Sequence, residues 1–180
     1  MNEKFSPILD DEEIIIKTYV PSKKKVYTSN LLIISLSLIL ACAFISIAMF
    51  VPEEGYEPCP PILWLIPAGI FVLGIIITIL LTSLWLNKTI YAVTNTRIIM
   101  RTGIIGVDFK SLDLRSIGAT EVYVSFIDKF LGGKTGSIRF GSMSSPINSQ
   151  TATPYGFSSV VEPYKAYKEI KEHIQKIKEI

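Results

Sequence analysis

Two stretches without a single charged residue, Leu31 to Val51 (21 residues) and Ile62 to Leu86 (25 residues), constrain this 180-residue chain more than any other feature. An α-helix rises about 1.5 Å per residue, so roughly 20 apolar residues cross the ~30 Å hydrocarbon layer of a bilayer. Both stretches are long enough, and backbone at that depth must be helical because no water is there to satisfy its polar groups. Together they hold 37 of the 88 apolar residues, while the other 134 positions keep 51 apolar and all 34 charged residues, the proportions of an ordinary soluble domain. The positive mean hydropathy is therefore local. It describes a small membrane protein with one water-soluble domain, not a membrane bundle. A cleaved signal peptide is the rival reading of the first stretch. Thirty residues precede it, its apolar core is longer than usual for a signal, and no small-x-small pattern closes it, so a signal anchor is expected.

The connector Pro52 to Pro61 carries three Glu and no Lys or Arg, whereas Lys17, Lys23, Lys24 and Lys25 precede the first span and Lys88, Arg97 and Arg101 follow the second. Positive residues stay on the cytoplasmic side, which predicts a multi-pass protein of the cytoplasmic membrane with both termini inside and the loop 52–61 outside. Trp64 and Trp85 suit interfacial belts, Pro67 and Gly69 fall in the first turns of the second span, and Ser37 with Ala41 offers a small-residue stripe for close packing. Neither span contains Asp, Glu, Lys, Arg or His, the groups that ion pathways and proton relays use, so the hairpin reads as an anchor.

Residues 1–30 are read as a cytoplasmic arm, 31–86 as the hairpin and 87–180 as one small cytoplasmic domain. Thr89 to Thr94 and Arg97 to Arg101, joined by Asn95-Thr96 and closed by Gly103, predict a β-hairpin. Val107–Leu112, Ala119–Phe126, Ser137–Gly141 and Phe157–Val161 are further strand candidates. After Pro163, a good first-turn residue, the period changes: Tyr164, Tyr167, Ile170, Ile174 and Ile177 recur three and four apart, an amphipathic helix laid on a core. Short strands followed by a capping helix point to a small barrel or strongly bent sheet. The polar stretch Ser142–Ser159 reads as the most mobile loop.

The run Tyr91-Ala-Val-Thr94-Asn95-Thr96-Arg97-Ile-Ile, Gly103, the segment Phe130-Leu-Gly-Gly-Lys-Thr-Gly136-Ser-Ile-Arg139 and the closing Val160-Val161-Glu-Pro163-Tyr164 resemble the bacterial PH-like domain family. Glu12-Glu-Ile-Ile-Ile and Pro21-Ser22, ahead of the first span, are similar to the lead-in of its two-span members. The resemblance implies a bent antiparallel β barrel or sandwich with a C-terminal capping helix, tethered by a transmembrane hairpin. It brings no activity. The chain departs from the pattern in Ser142–Ser159.

Catalytic chemistry finds little support. Gly133-Lys134-Thr135 suggests a phosphate loop, but position 128 is Asp, where that motif needs Gly, and a tight turn between strands is expected instead. The single histidine, His173, falls off the helix's apolar stripe and reads as solvated; without a second base a Ser-His-Asp arrangement has no footing. Cys42 lies in the first span and Cys59 in the outer loop, which argues against a metal cluster or a redox pair. Asp108, Asp113, Glu121 and Asp128 lack calcium-loop spacing. No cofactor, no metal and no enzymatic activity are expected.

One electrostatic feature remains. Residues 87–180 carry 13 Lys and Arg against 8 Asp and Glu, while residues 1–30 balance. Anionic lipid attracts such charge near the surface, though positive-inside topology accounts for much of it. Lys23, Lys24, Lys25 and Lys88 are the expected basic anchors at the membrane surface; Arg101, Lys110, Lys129 and Lys134 are the candidates for binding lipid or a partner. Four Arg against fourteen Lys, with no basic helix, argue against nucleic acid. The sequence thus predicts a membrane-anchored, non-catalytic binding or scaffold protein at the inner leaflet that recognises a protein partner, a second copy of itself or anionic lipid headgroups. Two alternatives are a small oligomeric transport or permeability component, suggested by hydroxyls on the spans, and a membrane-bound hydrolase.

Overall fold

A computed structural model describes residues 4–50, 65–130, 132–142, 146–147 and 155–178, with backbone alone at 44, 46–50 and 65–68. The outer loop with Cys59, Trp64 and most of the polar stretch 142–159 lie outside the described residues. The chain divides into two compact units, residues 27–83 and residues 1–26 with 84–180.

In the second of these units, the β-branched runs flanking Asn95-Thr96 form β2 (Ile90–Thr94) and β3 (Arg97–Thr102), in register from Ile90 opposite Arg101 to Val93 opposite Ile98. Asn-Thr is a poor type I′ turn, but the Thr94 hydroxyl accepts the Thr96 and Arg97 amides at 3.3 and 3.0 Å, so a side chain closes it. β4 (Asp108–Asp113) pairs with β3. The outer edge of this sheet is β1 (Ile15–Tyr19), which comes from ahead of the spans and runs antiparallel to β2. The first 26 residues are therefore part of the domain and not a separate arm. Ile14-Ile15-Ile16 had the strand composition, but its partner lies some 75 positions away, and that distance hides the pairing in the sequence.

The second sheet is β5 (Ile117–Tyr123), β6 (Thr135–Ser142) and β7 (Tyr155–Val161), in the order β5-β6-β7. Tyr91, Ile98, Leu112, Ile138, Phe140 and Phe157 fill the space between the sheets, with Phe157 stacked on Tyr91 at 4.8 Å and edge-on to Phe140 at 5.0 Å. The C-terminal helix α4 (Pro163–Lys178) buries Ala166, Ile170 and Ile174 in that core. Its stripe is rotated from the expected one: Tyr164 is exposed, while Tyr167 and Ile177 pack at the margin. His173 is half-buried rather than solvated, its Nε2 3.3 Å from the Thr94 carbonyl oxygen.

Every residue of β2 is buried, so it lacks the usual polar alternation. Tyr91 and Val93 face the main core, whereas Ile90 and Ala92 join Ile99 beneath Phe5, Ile8 and Leu9 of the N-terminal segment. That cover is pinned by Glu13, whose side chain is only 1% exposed. Its carboxylate receives Arg97 Nη2 at 2.7 Å, Thr94 Oγ1 at 2.6 Å and Thr96 Oγ1 at 3.0 Å.

The strand expected to run through Phe126 stops at Tyr123, and a one-turn helix α3 (Phe126–Phe130) follows. Ser125-Phe-Ile-Asp128 is a capping box: the Asp128 amide donates to Ser125 Oγ at 3.2 Å and the Ser125 amide to Asp128 Oδ2 at 3.2 Å. Gly132 and Gly133 then turn the chain at φ of 95° and 66° into β6. The Gly133-Lys134-Thr135 turn thus links a helix to a strand.

The other unit contains most of α1 (Lys23–Phe50) and α2 (Leu65–Lys88), two helices long and apolar enough to cross a bilayer. Asn30 Nδ2 donates to Thr82 Oγ1 at 2.7 Å and ties one helix to the other.

Candidate functional site

The two sheets part at one end, and the opening is a cleft of about 460 Å3. β-strand alternation decides who faces it: Met100 and Thr102 point in from β3, Ser137 and Arg139 from β6, and Tyr123 from β5. Lys25, in the first turn of α1, and Trp85, in the last turns of α2, complete its wall. Across its floor the Gly156 amide donates to Met100 Sδ at 3.1 Å, bringing the sheets together where a bulkier residue on β7 would meet the Ile138 carbonyl oxygen.

Among the described residues, three cations reach the cleft, Lys25, Lys110 and Arg139, against one carboxylate, Asp128. Lys25 is engaged: its Nζ is 3.3 Å from Asp128 Oδ1 and donates to Ser159 Oγ at 3.1 Å. Desolvation pushes the Asp128 carboxyl up, but bonds from Ser125 and Thr135 and the Lys25 charge outweigh it and leave the group below its usual range. Ser159 holds φ of 56°, a left-handed conformation that costs a serine on the order of 1 kcal/mol. Its hydrogen bonds hold it there: its carbonyl accepts the Ser22 amide at 2.8 Å, its hydroxyl accepts Lys25 and its amide donates to Ser137 Oγ at 3.4 Å. Arg139 is the cation best placed for an anion: its guanidinium carbon lies 4.0 Å from the Tyr123 ring centroid, a cation–π contact that leaves the edge of the group suited to a planar anion. Lys110 is exposed on the opposite sheet. The hydroxyls of Ser125, Ser137 and Ser158 line the cleft between these cations.

The four binding candidates named from the sequence do not gather on one surface. Lys110 alone lines the cleft. Arg101 faces the other side of β3, where its Nη1 donates at 3.1 Å to the carbonyl of Lys88, the last residue of α2; a cation there suits the negative end of the helix dipole. Lys129 is exposed on α3 and Lys134 on the turn after it. Among the expected surface anchors, Lys23 is exposed and Lys24 is too, but Lys25 turns into the cleft and Lys88 Nζ donates to the Ile105 carbonyl at 2.5 Å. Arg139 and Tyr123 went unnoticed because each is ordinary in its own strand. They meet only through the β5–β6 register, in which Tyr123 opposes Ser137 two residues from Arg139.

Among the described residues, a four-stranded and a three-stranded antiparallel sheet packed with a C-terminal helix define a PH-like domain. The chain belongs to the bacterial PH domain family, whose model matches residues 30–176. The match begins after β1, which the structure adds to the domain. Among solved structures, the chain is similar to a DUF1696-family protein with a pleckstrin-homology domain from Shewanella loihica PV-4, at 15% identity and a TM-score of 0.33, over 52% of this chain and 73% of that one. No curated protein matches.

Proposed function

We propose that this is a non-catalytic, membrane-anchored PH-like protein of the cytoplasmic membrane whose cleft recognises an anionic group, foremost a lipid headgroup of the inner leaflet. The observation that carries the reading is that Arg139, from one sheet, and Lys110, from the other, both line a hydroxyl-bearing cleft whose wall includes Lys25 and Trp85. Those two residues stand where the chain passes into and out of the candidate spans, which supports a cleft that serves the leaflet. Support for anchoring comes from the helices themselves: Ile39, Leu40 and Ile70 are among many large side chains exposed on them, an arrangement that lipid would stabilise and water would not. The basic flanks and acidic loop orient both termini to the cytoplasm.

The transport alternative needs hydroxyls free to line a path. Those of Ser35, Ser37 and Thr78 donate to the carbonyls of Leu32, Ile34 and Gly74 in their own helices, which favours an anchor. Binding is tested with the full chain in neutral detergent, titrated with short-chain phosphatidylglycerol and with phosphatidylcholine. Preference for the anionic lipid, weakened roughly tenfold or more by Arg139→Ala, is the expected result. Equal affinity for the two lipids, or no loss in the variant, would overturn the headgroup assignment; a protein that co-purifies with the wild type and is lost from Arg139→Glu would assign the cleft to a protein partner. Orientation has a separate test, since a membrane-impermeant thiol reagent should label Cys59 on intact cells. Labelling only after lysis would reverse the topology.

A further inference from the structure

Two apolar protrusions flank the cleft and have no cover among the described residues. On one rim, the β3–β4 turn begins just after the cleft residue Thr102 and presents Ile104, Ile105 and Val107, with Ile105 92% exposed. On the other, α3, which contributes Asp128 to the cleft wall, presents Phe126 and Phe130, 82% and 74% exposed and one helical turn apart on the same side. Single exposed apolar residues are commonplace, but five large ones concentrated on two rims of one opening are not. Both rims are also held rigidly. At Gly103 φ is 150° and an added Cβ would sit 2.3 Å from the Gly106 carbonyl oxygen, so the turn closes tightly on its own backbone there. Asp128 anchors α3 from within.

The attachments of the two rims indicate what covers them. The β3–β4 turn is tied through the Ile105 carbonyl to Lys88, the last residue of α2. The wall of α3 is tied through Asp128 to Lys25, in the first turn of α1. Each apolar rim is therefore fastened to one of the two points where the chain enters or leaves a candidate span. Lys129 lies between Phe126 and Phe130 in sequence, and Lys88 Nζ reaches the Ile105 carbonyl, so each apolar rim has a cation beside it that complements an anionic leaflet. Apolar tips ringed by Lys are the composition of segments that rest in the headgroup–acyl boundary.

We propose that Ile104, Ile105 and Val107 on the β3–β4 turn, with Phe126 and Phe130 on α3, insert into the interfacial layer of the inner leaflet and hold the mouth of the cleft against the bilayer. The occupant of this apolar surface is lipid rather than protein. The inference rests on the anchoring reading and adds an orientation to it: the domain docks on the membrane instead of hanging from its two connections.

The test uses the full chain with Cys42 and Cys59 replaced, reconstituted in vesicles of phosphatidylglycerol and phosphatidylcholine, with an environment-sensitive fluorophore on a single introduced cysteine at Ile105, Phe126, Ser116 or Leu40. Ser116 lies past the far end of β4 and serves as the aqueous control; Leu40, in α1, reports spanning itself. The expected result is blue-shifted emission at 105 and 126, quenched more by doxyl-labelled lipid than by aqueous iodide, with the order inverted at 116. Doxyl quenching at 40 with iodide quenching at 105 and 126 would overturn insertion and leave anchoring intact. Iodide quenching at 40 would overturn the anchoring reading and the insertion with it. Blue-shifted emission at 105 and 126 that doxyl lipid does not quench, accompanied by crosslinking between chains at 105, would assign the surface to a second copy and overturn the lipid assignment.

Discussion

At the scale of single residues, Glu13 and Gly103 carry the sharpest consequences. Burial alone would raise the Glu13 carboxyl, yet bonds from Arg97, Thr94, the Asp10 amide and Thr96 bring it from 4.5 down to about 2. A carboxyl depressed in the folded state stabilises the fold above its unfolded value and loses that contribution as pH falls through the folded one. The gap corresponds to roughly 3 kcal/mol at neutral pH, lost between about pH 5 and pH 2. Thermal unfolding of the full chain in detergent should show the transition falling steeply over that window. Asp128 and Glu169 are depressed too and contribute to the same slope, so the comparison that isolates Glu13 is Glu13→Gln, which should be less stable at neutral pH and less steep in acid. A slope identical to wild type would mean that this carboxylate does not hold the N-terminal segment. Gly103→Ala should cost about 1–3 kcal/mol, because the new methyl meets the Gly106 carbonyl and φ of 150° disfavours a side chain. The denaturant midpoint checks it, with Gly106→Ala as the control, since an added Cβ there meets nothing within 4 Å.

At the scale of elements, α3 is too short to persist alone and lives on its attachments. Asp128 accepts from Ser125, Thr135 and Lys25, so one buried carboxylate joins the first turn of α1, α3 and the start of β6. Replacing Lys25 by Met leaves that carboxylate without its cation, an expected loss of about 1–3 kcal/mol. Hydrogen exchange should quicken in 125–130 while the amides of β2 and β3 stay protected; unchanged exchange in α3 would show that Lys25 is dispensable there. Ser125-x-x-Asp128 marks this helix in the sequence, but the largely apolar stretch Val122 to Ile127 hid it, because a strand and a one-turn helix share that composition. In α4 the period was readable and the phase was not. Tyr164 and Ala166 flank the line through Ile170 and Ile174 on opposite sides, about 160° apart around the helix, and packing against the sheets turned the buried stripe toward Ala166 and away from Tyr164.

At the scale of the whole molecule, the two long apolar helices are inserted in the chain between the first and second strands of the PH-like domain. A fragment beginning at residue 87 therefore lacks β1 and the cover from Phe5, exposing the β2 edge together with Ile90, Ala92 and Ile99. Such a fragment should aggregate or unfold without cooperativity, whereas residues 1–22 joined to 87–180 by a flexible linker should unfold in a single transition by circular dichroism. A fragment 87–180 as stable as the joined form would show that β1 is an accessory strand.

The sequence alone determined what depends on local composition and period. The two uncharged stretches, the β2–β3 hairpin, the amphipathic C-terminal helix and the family resemblance are each written in contiguous residues, because a helix or a hairpin satisfies its backbone with neighbours in the chain. The tertiary structure decided what depends on partners distant in sequence. β1 found β2 across about 75 residues, Glu13 found Arg97 across 84, and Lys25, Lys110 and Arg139 reached one cleft from three separate elements. The charge of the C-terminal region was countable from the start. Which cations face a cleft, and which, like Arg101 and Lys88, are spent holding the end of a helix, follows from strand register and side-chain alternation, and those are set by the packing of one sheet on another.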